Sequence, residues 1–219
     1  MSSMIEGLME SLGGDNLGAI MGMLGDGDSA PSEDATKSAI GVGIGALIEG
    51  LAKNSSEPEG AESLLNAVTK KHDGGILDDV GGFLGMGDAA DGGKILGHVF
   101  GDKQPAVETE VAKAAGIDSS MISKLLPMLA PMVLGWIGKK VSSGGLTASG
   151  LGGLLQGEKE AAESSMPDLG GLAESILGGG GVGGMLTSGM DALSGGGAAA
   201  KKSGGGILDM LKGLFSGKR

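Results

Sequence analysis

Apolar residues recur along the chain at spacings of three and four, and no segment sustains the alternation of a half-buried strand, so the pattern predicts an all-α protein. Ile5, Leu8, Met9 and Leu12 share one helical face near the start, and Leu17, Ile20, Met21 and Leu24 share another in a second short helix. The polar run Gly25–Asp34 predicts a loop that closes on a Ser-Glu-Asp helix start signal. A long apolar helix is expected over Ala35–Asn54, then a turn at SSEPEG. An amphipathic helix follows over Ala61–His72, with Lys70, Lys71 and His72 in its last turn, where cations suit the helix dipole. Pro105 fits a first helical position and Gly116 a C-cap for the segment Gln104–Ile117. Asp118 or Ser119 is then the N-cap of a helix carrying LLPMLAPMVLGWIG, in which Pro127 and Pro131 stand four residues apart.

Composition changes this picture in two ways. With no Tyr, one Trp (Trp136), three Phe and 13 Met, the core is expected to be filled by aliphatics and methionine. Glycine, at 48 residues, implies loops or close helix contacts, and from Ser142 onward glycine and serine rise together. The runs Gly178–Gly184 and Ser194–Gly206 have the composition of flexible linkers. The expected organisation is an N-terminal helical segment over 1–31, a compact multi-helix domain over 32–157, and a glycine-rich tail over 158–219 that ends in short helices.

The net charge of -11 leaves no concentrated basic patch outside the extreme C-terminus, so nucleic acid is not expected as a partner. The absence of cysteine removes disulfides, thiolate metal sites and a cysteine nucleophile. The first residues, MSSMIEGLMESLGG, do not read as a signal peptide, and Leu125–Gly138 is too short on its own to span a bilayer, so a cytoplasmic protein is expected.

Two repeats stand out. Ala39–Lys53 and Leu125–Lys139 share an apolar pattern, with Gly41 and Gly45 in the first where Pro127 and Pro131 stand in the second. More sharply, GGILDDVGGFL (Gly74–Leu84) returns as GGILDMLKGLF (Gly205–Phe215) with six identities in eleven, and GGKILGHVFG (Gly92–Gly101) is a looser third copy. Each reads as a double glycine, an Ile-Leu pair and a short helix. The segments AESLLNAVTKKHDGGILDDVGGFLG, DGGKILGHVFGDKQPAVETEVAKAAGID and LLPMLAPMVLGWIGKK, taken in order, resemble the bacterial domain of unknown function 937 family, related to the YidB-like proteins. The resemblance covers about Ala35 to Val141. It implies an all-helical domain, with a homeodomain-like helix arrangement in the YidB-like relatives, and no assigned catalytic residues.

The stretch from His72 to Asp102 holds both histidines of the chain. His72, Asp73, Asp78, Asp79 and His98 are the candidate metal or catalytic set, since two histidines and a carboxylate can ligate a metal. The adjacent His72 and Asp73 splay apart, however, and no H-x-x-x-H spacing exists. Asp73-Gly-Gly and Asp91-Gly-Gly both precede Ile-Leu pairs, which suits capping and turns better. The aspartates of Gly25–Asp28 and of Met86–Gly93 lack the spacing of a calcium loop. The glycines of Gly41–Gly50 lack the strand and the Gly-Lys-Ser/Thr of a phosphate loop; Gly41 and Gly45 are expected to permit close helix approach instead. Ser119, Ser120 and Lys124 are better explained as a helix start than as a Ser/Lys pair. Ile207, Leu208, Leu211, Leu214 and Phe215 form an apolar stripe beside Lys212, Lys218 and Arg219. That terminal helix is expected to dock on a partner subunit, to lie on a membrane surface, or to fold back on its own domain.

No catalytic, cofactor-binding or metal-binding residue is therefore assigned. The expected function is that of a non-enzymatic, self-associating scaffold-type protein with itself as main partner and other proteins as further partners. A regulatory DNA- or protein-binding module is the alternative, followed by a metal-dependent enzyme.

Overall fold

The computed structural model describes residues 3–25, 27, 30–86, 90–166 and 171, and the helices below belong to one compact unit, Met1–Gly181. They are α1 (Met4–Ser11), α2 (Asp15–Leu24), α3 (Glu33–Asn54), α4 (Pro58–Lys70), α5 (Val80–Met86), α6 (Ala90–Phe100), α7 (Gln104–Ala115), α8 (Ser119–Gly144) and α9 (Ala148–Ser165). Short 3-10 turns lie at Gly75–Leu77 and Gly101–Lys103. No strand occurs among the described residues, so the fold is all-α, as the apolar spacing predicts.

Local chemistry sets the helix ends. Ser32 accepts a hydrogen bond from the Ala35 N–H at the start of α3, and Glu33 and Asp34 in the first turn favour its dipole. Asp118, not Ser119, caps α8 by accepting from the Ser120 N–H at 2.8 Å. Pro105 lies in the first turn of α7 and Gly116 closes it in a left-handed conformation, with the Ile117 N–H reaching back to the Ala112 carbonyl.

α3 and α8 pack against each other at the centre. α7 and α9 also cover α3, while α6, α7 and α4 also cover α8. The core is mainly aliphatic, from Leu, Ile, Val and Ala; Met4 and Met132 are fully buried in it, and six further methionines pack against its edge. Aliphatics and methionine thus share the core, with the Leu- and Ile-rich faces of α3 and α8 filling most of the interior. On α1 the buried face is Met4 and Leu8, continued by the C-cap residue Leu12, with Ile5 and Met9 at its margin, a rotation from the expected stripe. α1 and α2 contribute to the same core as α3 and α8, and α9 runs unbroken across residue 157.

α8 continues through Pro127 and Pro131. Pro131 has no N–H, so the Pro127 carbonyl loses its helical donor. Gly92 of α6 lies against that oxygen so closely that a Cβ there would be 1.8 Å from it. The glycine Cα–H therefore covers a carbonyl that the proline leaves free. On α3 the tight contacts fall at Gly43, against Leu126 and Leu129, and at Gly50, against Val99 and Phe100. Gly41, expected to make such a contact, has Met166 at ordinary van der Waals distance instead.

Both α3 and α8 are long and apolar enough to cross a membrane by length and composition, but 83% and 72% of their most apolar windows are buried inside the fold. Their apolar surface is thus largely spent on each other and on their neighbours within the fold.

Candidate functional site

α4 ends at Lys70, so His72 lies beyond the helix rather than in its last turn. The chain there is pressed onto α8: a Cβ at Gly138 would be 1.8 Å from the His72 carbonyl oxygen. Asp73 then accepts a hydrogen bond from the Gly75 N–H at 3.1 Å, an Asx-type turn, and Gly74 takes φ 104, which a residue with a Cβ rarely adopts. Gly74 also needs its bareness for space, since a Cβ would be 3.0 Å from the Gly135 carbonyl and 2.9 Å from the Lys139 side chain. Ile76 seats over Gly135 of α8, and Val80 and Leu84 are buried beyond it. The Gly74–Leu84 segment is therefore docked by two glycine-permitted backbone contacts and a row of apolar anchors.

The candidate carboxylates separate on inspection. Asp73 serves its turn, Asp78 pairs with Lys139 at 3.0 Å on the surface, and Asp79 caps α5 by accepting from the Gly82 N–H at 2.9 Å. The acid that reaches a histidine is Asp91, whose Oδ2 lies 3.5 Å from His72 Nε2. Asp91 sits in the first turn of α6, where the helix dipole favours a carboxylate, and not at a cap before it. The expected equivalence of Asp73-Gly-Gly and Asp91-Gly-Gly fails for this reason: the second double glycine is inside α6, placed for the contact with Pro127.

The His72 side chain is 11% exposed. Burial pushes its pKa below the usual histidine value, Asp91 opposes that shift, and Lys71 adds to it. The imidazole is thus mainly neutral at pH 7, and its 3.5 Å contact is weak as a hydrogen bond. His98 lies seven residues after Asp91 on α6, hence on the same face, and is exposed.

Asp91 and both histidines line one cleft of about 650 Å³ between α4 and α6, with Leu51 of α3 and Leu134 of α8 at its base. Leu64, Ile95 and Val99 complete an apolar interior, and Lys70, Lys71 and Lys94 stand at the rim. A second, smaller hollow of about 250 Å³ shares Lys71, His72 and Asp91 with it, so the His72–Asp91 contact is the wall between the two. Among the described residues, no group of three or more metal-ligating side chains converges.

A second polar feature escaped the sequence reading. Glu49 is buried in α3, and one of its oxygens accepts from Lys159 of α9 at 3.2 Å. Its other oxygen, Oε1, is buried with no hydrogen-bond partner among the described residues. Burial raises the Glu49 carboxyl, Lys159 offsets part of that, and Glu163, 3.7 Å from Lys159, adds to it. Burial alone would lower Lys159, but the two glutamates outweigh it and hold its pKa up. The two shifts pull oppositely, one toward a neutral acid and one toward a charged amine, and the geometry is that of an ion pair under desolvation strain. The sequence signal is a lone glutamate in the apolar run ALIEGLA.

The glycines of Gly41–Gly50 are interior to α3, and Ser119, Ser120 and Lys124 are exposed on α8. Asp26, Asp28, Gly87–Ala89 and the terminal repeat Gly205–Phe215 lie outside the described residues. The profile of one family, described as bacterial protein of unknown function (DUF937), matches residues 6–140. No curated protein and no solved structure matches the chain.

Proposed function

The chain belongs to the bacterial family of unknown function DUF937, and from that premise we propose that it is a non-enzymatic, self-associating scaffold-type protein of the bacterial cytoplasm. The docking of Gly74–Leu84 on α8 carries the proposal. That segment is seated by Gly74 and by Ile76, with Val80 and Leu84 buried beyond. In the later copy the same positions are Gly205, Ile207, Leu211 and Phe215, and Leu77 and Phe83 correspond to Leu208 and Leu214. Every apolar anchor of the docked segment is thus apolar again in the second. A segment with those anchors suits the same seat on a second molecule, which is the logic of a domain swap. The composition of Ser194–Gly206 gives it reach.

Size-exclusion chromatography with light scattering tests this on the full chain, on a truncation ending at Gly204, and on the full chain with Leu211→Asp. Association of the full chain that is lost in both variants is the expected result. A full chain that stays monomeric up to high concentration overturns the reading, as does association that the two variants retain.

A further inference from the structure

The α4–α6 cleft is neither filled by the fold nor used by the self-association proposed above. We infer that it is a binding site for a single-tailed amphipathic anion, with a fatty-acid carboxylate as the ligand class.

Its size is the first ground. A cleft of about 650 Å³ lies within the roughly 300–1,000 Å³ of small-ligand sites, which are mostly apolar with a few placed polar groups. Its interior supplies the apolar part: Leu51, Leu64, Ile95, Val99 and Leu134 are all buried aliphatics that face one space. No tyrosine, tryptophan or phenylalanine lines it, so the walls suit a flexible alkyl chain better than a flat ring, which gains most from aromatic faces.

Charge is the second ground, and it identifies the head group. The chain as a whole carries 27 acidic against 16 basic residues. The cleft reverses that balance, with Lys70, Lys71 and Lys94 against Asp91 alone. Among the described residues, none of the three lysines is held in an ion pair, whereas Lys37, Lys113, Lys139 and Lys159 all are. A basic rim over an apolar floor on an acidic protein focuses anions there. The charges are lysine points with no arginine fork beside them, which suits a single carboxylate better than bidentate recognition of a phosphate. The alkyl chain then lies along Leu64 and Ile95, with the carboxylate at the lysine rim.

The test uses the full chain, titrated calorimetrically with dodecanoate and with dodecyltrimethylammonium below their micelle-forming concentrations. The two probes share a tail and differ in head charge. The expected result is saturable one-to-one binding of dodecanoate, at least tenfold tighter than the cation. Decanoate should bind more weakly by about three- to fourfold for each methylene lost. Reversing the exposed rim with Lys70→Glu, Lys71→Glu and Lys94→Glu should weaken dodecanoate by about tenfold or more without unfolding the protein. Ala67→Trp, which fills the cleft from α4, should abolish binding. No saturable binding, equal affinity for the two head groups, or indifference to the charge reversal overturns the inference. So does binding that survives Ala67→Trp, because the ligand then lies elsewhere. None of these outcomes depends on the oligomeric state, so this inference and the scaffold reading stand or fall separately.

Discussion

Replacing Gly92 by alanine measures the α6–α8 contact directly. The added Cβ would lie 1.8 Å from the Pro127 oxygen and 2.8 Å from its Cα, a shortfall of about 1.6 Å from the 3.4 Å at which ordinary contact begins. The neighbour is backbone of a central helix, so no side-chain rotation relieves the clash and α6 must move bodily. Overpacking of this kind costs about 1–3 kcal/mol or more, against a helix-propensity gain of about 1 kcal/mol for Gly→Ala. Retreat of α6 also uncovers the Pro127 carbonyl, which Pro131 cannot satisfy, so the net loss is expected at about 2 kcal/mol. Gly97→Ala is the internal control. It lies in the same helix with nothing within 4 Å of its Cβ position, so the propensity gain of about 0.5–1 kcal/mol should emerge alone. Trp136, the sole tryptophan, is half-buried on α8 and reports unfolding by fluorescence; coincidence with far-UV circular dichroism checks two-state behaviour. At about 2–4 °C per kcal/mol, Gly92→Ala should melt about 4–8 °C lower and Gly97→Ala slightly higher. Equal or increased stability of Gly92→Ala would refute the account of the helix crossing.

Lys159→Met should destabilise by about 3 kcal/mol, because it strands a buried carboxylate, and adding Glu49→Leu should recover most of the loss; a neutral single variant sinks the ion-pair account. With Lys159 gone, the Glu49 carboxyl, already raised by burial, favours its protonated form further. The stability of that variant should therefore be greatest at low pH and fall as pH rises through the raised folded pKa, a trend absent when Glu49 is leucine. His72 has the opposite sign. Its folded pKa is lowered, so its contribution is intact above the ordinary value of about 6.5 and is lost as pH falls through the folded one. Denaturation midpoints from about pH 8 to about pH 5 should drop more for the original chain than for His72→Gln, and parallel curves would contradict this. Ser32→Ala should cost about 1 kcal/mol through loss of the α3 cap, read by the same melts, and a cost near zero would argue against capping there.

The helices were legible where period and punctuation agree. Ser32, Asp118, Pro105 and Gly116 mark their boundaries through local hydrogen bonding, which depends only on near neighbours in sequence. The candidate site was legible in part. His72 and His98 were visible, but the acid beside His72 is Asp91, brought there by the α6–α8 crossing and not by spacing from His72. Asp73, Asp78 and Asp79 are closer in sequence and serve local turns, a cap and a surface pair instead. The role of Gly92 was hidden because its partner is a carbonyl 35 residues on, freed by a proline whose cost is visible in sequence while its compensation is not. Glu49 illustrates the same limit: a single charged residue in an apolar run says that something must meet it, but not that Lys159 does.

That pairing also bears on where this protein can be cut. The family-matched region ends at residue 140, whereas α9 begins at Ala148. α9 supplies the counter-charge for the most deeply placed acid of α3, and its Glu158 accepts from the Met4 N–H at the opposite end of the chain at 2.6 Å. A fragment cut after residue 140 would keep all of α3 and most of α8 but lose the clasp that closes them, leaving Glu49 without its cation and the Met4 N–H without its acceptor. The helix just beyond the family-matched region is thus part of the same core, through Leu151, Leu155 and Ala162, and a cut at residue 140 removes both that packing and the buried charge pair.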